Sequence, residues 1–277
     1  SDHMRGMMAA NSAARRARLL GGSAVALVAA LSGKVALALD ECGPAAPGGT
    51  VTCTPAGNSF PSGIQYKVDD LTIVVQDGVV IDTTTKANEP GGIVSGGAGD
   101  YGSLTIKAGT NGGGVTITTD GDNAKGIIAN TDKGDVDIAF TGVIATGGNG
   151  SAAIVAFSKE GGDVTIAASG AISTAGTGSQ GVFGRADDGS ATISWTGDVR
   201  TQGMDSNGVE ARAAGAGNAA ILSSGDIVTS GLNSSGLYAS AQAGEATIAS
   251  TGDIATTGND AEGISAAAEG AVLVVTS

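Results

Sequence analysis

From about Asp135 onward, apolar and polar positions recur in a unit of 27 or 28 residues. The run Ile144-Ala145-Thr146-Gly147-Gly148 returns as Ile172-Ser173-Thr174-Ala175-Gly176, Val199-Arg200-Thr201-Gln202-Gly203, Ile227-Val228-Thr229-Ser230-Gly231 and Ile254-Ala255-Thr256-Thr257-Gly258. Aliphatic-x-Thr-x-Gly thus occurs five times, at spacings of 28, 27, 28 and 27. An earlier copy stands at Ile117-Thr118-Thr119-Asp120-Gly121. Short β-type runs cut by glycine at a fixed period predict a stacked solenoid, which places function on an extended ridged surface rather than in one globular cleft.

Each unit divides into three short strands. The first carries Val136/Ile138, Val164/Ile166, Ala191/Ile193, Ala219/Ile221 and Ala246/Ile248; members of a pair stand two residues apart and point to one face, the core. A turn follows at Gly142, Gly170, Gly197, Gly225 and Gly252. The second strand opens with Ile144, Ile172, Val199, Ile227 and Ile254 and places an inward threonine two residues on. The third begins at Ile154, Val182, Val209, Leu237 and Ile264 and closes at glycines such as Gly161, Gly189, Gly217, Gly244 and Gly270.

Three strands per coil predict an all-β chain, a right-handed parallel β-helix with coils of about 27–28 residues. A propeller needs longer blades with four strands, and the Leu-x-x-Leu-x-Leu frame of leucine-rich repeats is absent. One coil buries too few aliphatic groups to fold alone, so several must stack and be capped. The threonine column Thr119, Thr146, Thr174, Thr201, Thr229 and Thr256 reads as an internal hydroxyl ladder, because its outward neighbours are too mixed for a flat threonine array. Phe140 and Trp195 share one repeat position and read as core fillers at a corner.

Toward the N-terminus the period blurs. Leu71-Thr72-Ile73-Val74-Val75 and Leu104-Thr105-Ile106 read as first strands of irregular coils, with a long turn around Asn88-Glu89-Pro90-Gly91. Residues 39–70 read as an N-terminal cap, and residues 71–277 as the β-helix, truncated at its C-terminal end. Residues 1–4 look like a cloning scar holding the single histidine, His3. Arg5, Arg15, Arg16 and Arg18 then precede an apolar stretch ending in Ala36-Leu37-Ala38, so residues 5–38 read as a secretory signal peptide cleaved near Ala38-Leu39. That stretch is broken by Gly21, Gly22, Ser32, Gly33 and Lys34, which leaves it short of a membrane span.

Composition sharpens this picture. The chain has 48 glycines, five prolines, four phenylalanines, three tyrosines and one tryptophan among 277 residues, with 41% hydrophobic content. A chain this apolar folds, and it folds from small aliphatic pieces. Its formal charge of −13 repels nucleic acid and anionic headgroups unless a local basic patch reverses the field, so nucleic acid is not an expected partner. In an exported chain with no other cysteine, Cys42 and Cys53 read as a disulfide closing a small loop rather than as a metal site.

The order of features resembles a known family. A long signal peptide is followed by Glu41-Cys42-Gly43-Pro44, then Gly49-Thr50-Val51-Thr52-Cys53-Thr54-Pro55-Ala56-Gly57-Asn58, Asp70-Leu71-Thr72-Ile73-Val74-Val75 and glycine-rich coils. Together these are similar to the N-terminal passenger region of bacterial autotransporters, the type V secreted proteins. The resemblance implies a passenger exported through the periplasm, displayed on the outer membrane or released, and acting in adhesion, aggregation or host contact. It also implies a C-terminal outer-membrane β-barrel beyond Ser277.

Candidate chemistry is sparse. Apart from His3 no histidine remains for a Ser-His-Asp or Cys-His arrangement, and the Gly-Asp-Ser-Gly motif of serine-protease autotransporters is absent. No catalytic residue and no cofactor is expected; the alternatives are a β-helical polysaccharide-degrading enzyme, acting through clustered carboxylates, and a rigid spacer for a distal domain. Asp198, Asp226 and Asp253 repeat at one turn position and form a weak candidate for a divalent cation, against the plainer reading of solvated turn aspartates. The stronger candidate is the outward side of the third strands. One stripe is Val155, Phe183, Glu210, Tyr238 and Ser265; the next is Phe157, Arg185, Arg212, Ser240 and Ala267. Phe157, Phe183, Arg185, Arg212 and Tyr238 combine rings with forked cations, which suits a glycan or protein on another cell, or self-association.

Overall fold

In the computed structural model, residues 41–84, 91–96 and 102–277 are described. The residues read as a cloning scar and as a signal peptide with its cleavage position, and Asn88, Glu89 and Pro90 of the expected long turn, lie outside the described residues. What the repeat builds is a parallel β-solenoid of about seven turns. First strands pair with first strands and third with third, so that Val136, Val164, Ala191, Ala219 and Ala246 form one column and Ile154, Val182, Val209, Leu237 and Ile264 another.

The first and second strands are less separate than their sequence suggests. In three consecutive coils they form one bent strand, Val136–Thr146, Val164–Thr174 and Ala191–Thr201. Two later coils break it, into Ala219–Ser224 with Ile227–Thr229 and Ala246–Thr251 with Ile254–Thr256. The bend sits at the glycine column, where φ runs from 151° at Gly142 to 105° at Gly252. A Cβ built at Gly197 would run into the Gly170 carbonyl oxygen of the coil before, so only glycine both bends the strand and lets the ladder pass the corner.

The core follows the expected columns. Ile138, Ile166, Ile193, Ile221 and Ile248 are buried along one wall, and Ile144, Ile172, Val199 and Ile227 along the next. Phe140 and Trp195 are core residues, each 1% exposed, and the Trp195 indole Nε1–H donates to the Gly197 carbonyl at 2.8 Å. Burying that ring therefore leaves no orphan donor.

Thr119, Thr146, Thr174, Thr201 and Thr229 are buried, Thr256 in the last coil is half-buried, and the five buried threonines do not bond to one another. Each Oγ1 donates to the carbonyl five residues on in its own coil: Thr119 to Ala124, Thr146 to Ser151, Thr174 to Ser179, Thr201 to Ser206 and Thr229 to Ser234, at 2.5 to 2.6 Å. The ladder that joins coils is made by serines instead. Ser179, Ser206 and Ser234 each accept, at Oγ, the backbone N–H of the serine one coil earlier, at 2.9 Å. The same hydroxyls donate to the carbonyls of Gly148, Gly176 and Gly203. The buried serines at the foot of each turn thereby meet their hydrogen-bonding needs within the protein.

The segment expected as a cap is built as the first coil. Thr50–Cys53 pairs in parallel with Thr72–Val75, and Ile64–Tyr66 pairs with Gly91–Gly96. Phe60 and Tyr66 are buried in it, and Cys42 is bonded to Cys53. The Tyr66 hydroxyl donates to the Gly43 carbonyl at 2.9 Å and accepts the Cys42 amide at 3.2 Å, which ties the stretch before the first strand onto that coil.

Candidate recognition face

The third strands form an eight-stranded parallel sheet whose central members are Ile154–Glu160, Val182–Ala186, Val209–Ala213 and Leu237–Ala241. Their inward side chains belong to the core, so the pleat sends alternate residues outward. The register places Val155, Phe183, Glu210, Tyr238 and Ser265 side by side, and likewise Phe157, Arg185, Arg212, Ser240 and Ala267. Both stripes read from the sequence therefore exist on one face.

Not every outward position is exposed. Glu210 is only 1% exposed although it lies outside the core. Its strand neighbours on either side are Phe183 and Tyr238, and both carboxylate oxygens are engaged: Oε2 accepts from Asn207 Nδ2 at 2.8 Å, and Oε1 accepts from Arg212 Nε. Burying a carboxylate this way is tolerable because a cation and an amide replace the lost water. Val155 is also covered, at 8%.

Two arginine clamps result. Arg185 Nε donates to Asp187 Oδ1 at 2.6 Å, and its guanidinium carbon lies 5.5 Å from the centre of the Phe157 ring. Arg212 pairs with Glu210 and lies 5.2 Å from the centre of the Tyr238 ring. Each guanidinium thus has a carboxylate at one edge and a ring beneath it, within reach of a cation–π attraction. Of the acids that hold the arginines, Glu210 stands in the outward stripe read from the sequence but without its pairing role, and Asp187 stands in neither stripe. Glu210-x-Arg212 nevertheless carries the signal, since residues two apart on a strand share a face, and Arg185-x-Asp187 repeats the spacing with Asp187 one residue past the strand end. Beside the clamps lies a groove of about 340 Å³ lined by Arg185, Arg212, Ala213, Ala214, Ser240 and Gln242.

Asp198, Asp226 and Asp253 stack in one column, as their spacing implies. Their oxygens, however, serve the backbone: Asp198 Oδ1 accepts the Asp226 amide at 3.4 Å, and Asp226 Oδ1 accepts the Asp253 amide at 3.1 Å. A second column uses the same device. Asp70, Ser103, Asp135, Asp163, Ser190 and Asn218 each accept, through a side-chain oxygen, the amide of the matching residue one coil on, ending at Glu245. Side-chain oxygens at these corners act as rungs between coils. Among the described residues no group of three or more His, Cys, Asp or Glu side chains is placed to hold a metal ion.

Near the second column, burial and the charges of Asp135 and Asp163 push the Asp137 carboxyl above the usual range, with Lys107 opposing. Burial also pushes the Lys125 ammonium down.

No family model, no curated protein and no solved structure matches this chain.

Proposed function

We propose that this chain is the passenger part of a bacterial autotransporter, exported through the periplasm, displayed on the outer membrane or released, and acting without catalysis in adhesion or aggregation through the third-strand face of its solenoid. The observation that carries the reading is the paired arginine clamp. Phe157, Arg185, Arg212 and Tyr238 are gathered on one outward face and locked by Asp187 and Glu210. A solenoid offers few recesses, so ordered rings and cations on its flank are the groups a partner meets first. The two carboxylates there hold guanidinium groups, which argues for binding rather than for acid–base work on a sugar bond.

The test is attachment. Beads coated with the purified protein should aggregate or adhere to cells, and Phe183→Ala combined with Tyr238→Ala should reduce that to background while thermal melting shows the solenoid intact. Attachment that survives the double substitution would put the work elsewhere and favour the rigid-spacer reading. Release of reducing sugar from acidic polysaccharides would favour the enzyme.

A further inference from the structure

We propose that the groove beside Arg185 and Arg212 binds an acidic polysaccharide, one bearing carboxylate or sulfate groups; this rests on the reading of the third-strand face as the contact surface and names what it contacts. The two arginines are register partners on adjacent strands, which run about 4.8 Å apart. Their guanidinium groups lean in opposite directions along the solenoid. Arg185 lies over Phe157 of the preceding coil, whereas Arg212 lies over Tyr238 of the following one. The groove lies against both.

Each guanidinium is tied at Nε, by Asp187 and by Glu210. Among the described residues the Nη groups of both have no hydrogen-bond partner, which leaves two donor forks for an anion. The rings and carboxylates behind them have already fixed the side chains, so little rotamer freedom is lost when a ligand arrives. Ala213 and Ala214 leave room, while Ser240 and Gln242 offer a hydroxyl and an amide to sugar hydroxyls.

The groove draws its lining from three successive coils and provides no deep apolar pocket of the kind in which a protein partner seats an aromatic anchor. That shape fits an extended, hydrated, charged chain. A formal charge of −13 repels such a polymer at a distance, so attraction operates only at contact, through the two forks.

Calorimetric titration of the purified protein with polygalacturonate, dextran sulfate and neutral dextran tests this. At least one acidic polymer should bind and neutral dextran should not; polygalacturonate alone would identify the carboxylate, dextran sulfate alone the sulfate. Arg185→Gln should weaken binding by about tenfold or more, the scale of one charge-assisted fork. Arg212→Lys keeps a cation beside buried Glu210, which protects the fold, yet loses the fork and should weaken binding as well. Arg200→Gln, on the outer side of a second strand and absent from the groove lining, should change nothing. Equal binding of neutral dextran, binding of neither acidic polymer, or an equal loss in Arg200→Gln would overturn the proposal. Cell attachment is read separately. A protein that attaches cells but binds neither polymer loses only this ligand class, and one that binds a polymer but attaches nothing loses the adhesion reading.

Discussion

Ser206 shows how much one hydroxyl does inside a solenoid. Its Oγ accepts the Ser179 amide and shares its one hydrogen between the Gly176 and Met204 carbonyls, and both serines are fully buried beneath the turn. Ser206→Ala keeps the volume almost unchanged but leaves the Ser179 N–H without an acceptor, so it should lower stability by about 1 to 3 kcal/mol in chemical denaturation. An unchanged midpoint would mean that water reaches the turn. The inward threonines were legible from their place two residues after an inward aliphatic. Their partners were not, although Thr146/Ser151, Thr174/Ser179, Thr201/Ser206 and Thr229/Ser234 repeat a spacing of five. Strand alternation stops at a turn, and a turn's hydrogen bonds depend on how the next coil lies over it. Glu210 makes the same point: alternation places it outward, and only its neighbours' side chains bury it.

Corners differ in what they demand of the backbone. Gly197, with φ 123°, lies against the Gly170 carbonyl, whereas Gly178, with φ 65°, has open space where a Cβ would stand. The Gly178 position is held in other coils by Asn123, Asp205, Asn233 and Asp260, all at φ between 54° and 61°. Asparagine tolerates that left-handed conformation. Gly178→Asn should therefore shift thermal stability by less than about 1 kcal/mol, while Gly197→Ala should cost about 3 kcal/mol or more. Equal effects would show that backbone conformation, and not contact between coils, sets the requirement. Both glycine positions are visible in the repeat. The sequence cannot rank them, because the clash at Gly197 is with another coil.

The stacked architecture makes stability local along the axis. The Cys42–Cys53 disulfide closes a short loop in the first coil and is far in sequence from the central coils. Replacing both cysteines with alanine should weaken that coil by about 2 to 3 kcal/mol. Hydrogen exchange should then quicken in Thr50–Cys53 and Ile64–Tyr66 and in their partner Thr72–Val75, with little change in Ala191–Thr201. A uniform loss of protection would mean that the solenoid unfolds as one unit. The first coil was hard to recognise because its turns have irregular lengths and no copy of the threonine motif marks it; pairing of Thr50–Cys53 with Thr72–Val75 reveals it.

The repeat period, the alternation within each strand and the recurring glycines were enough to specify a parallel solenoid, its inward columns and the stripes of its third-strand face. They sufficed because a fixed period forces equivalent residues into register, and register dictates which side chains share a face. Which outward groups are buried, which carboxylates hold arginines and which ones rung the coils together were decided by the folded structure alone. Those outcomes depend on side chains brought within a few ångströms from coils some 27 residues apart, at distances where hydrogen bonding and desolvation compete.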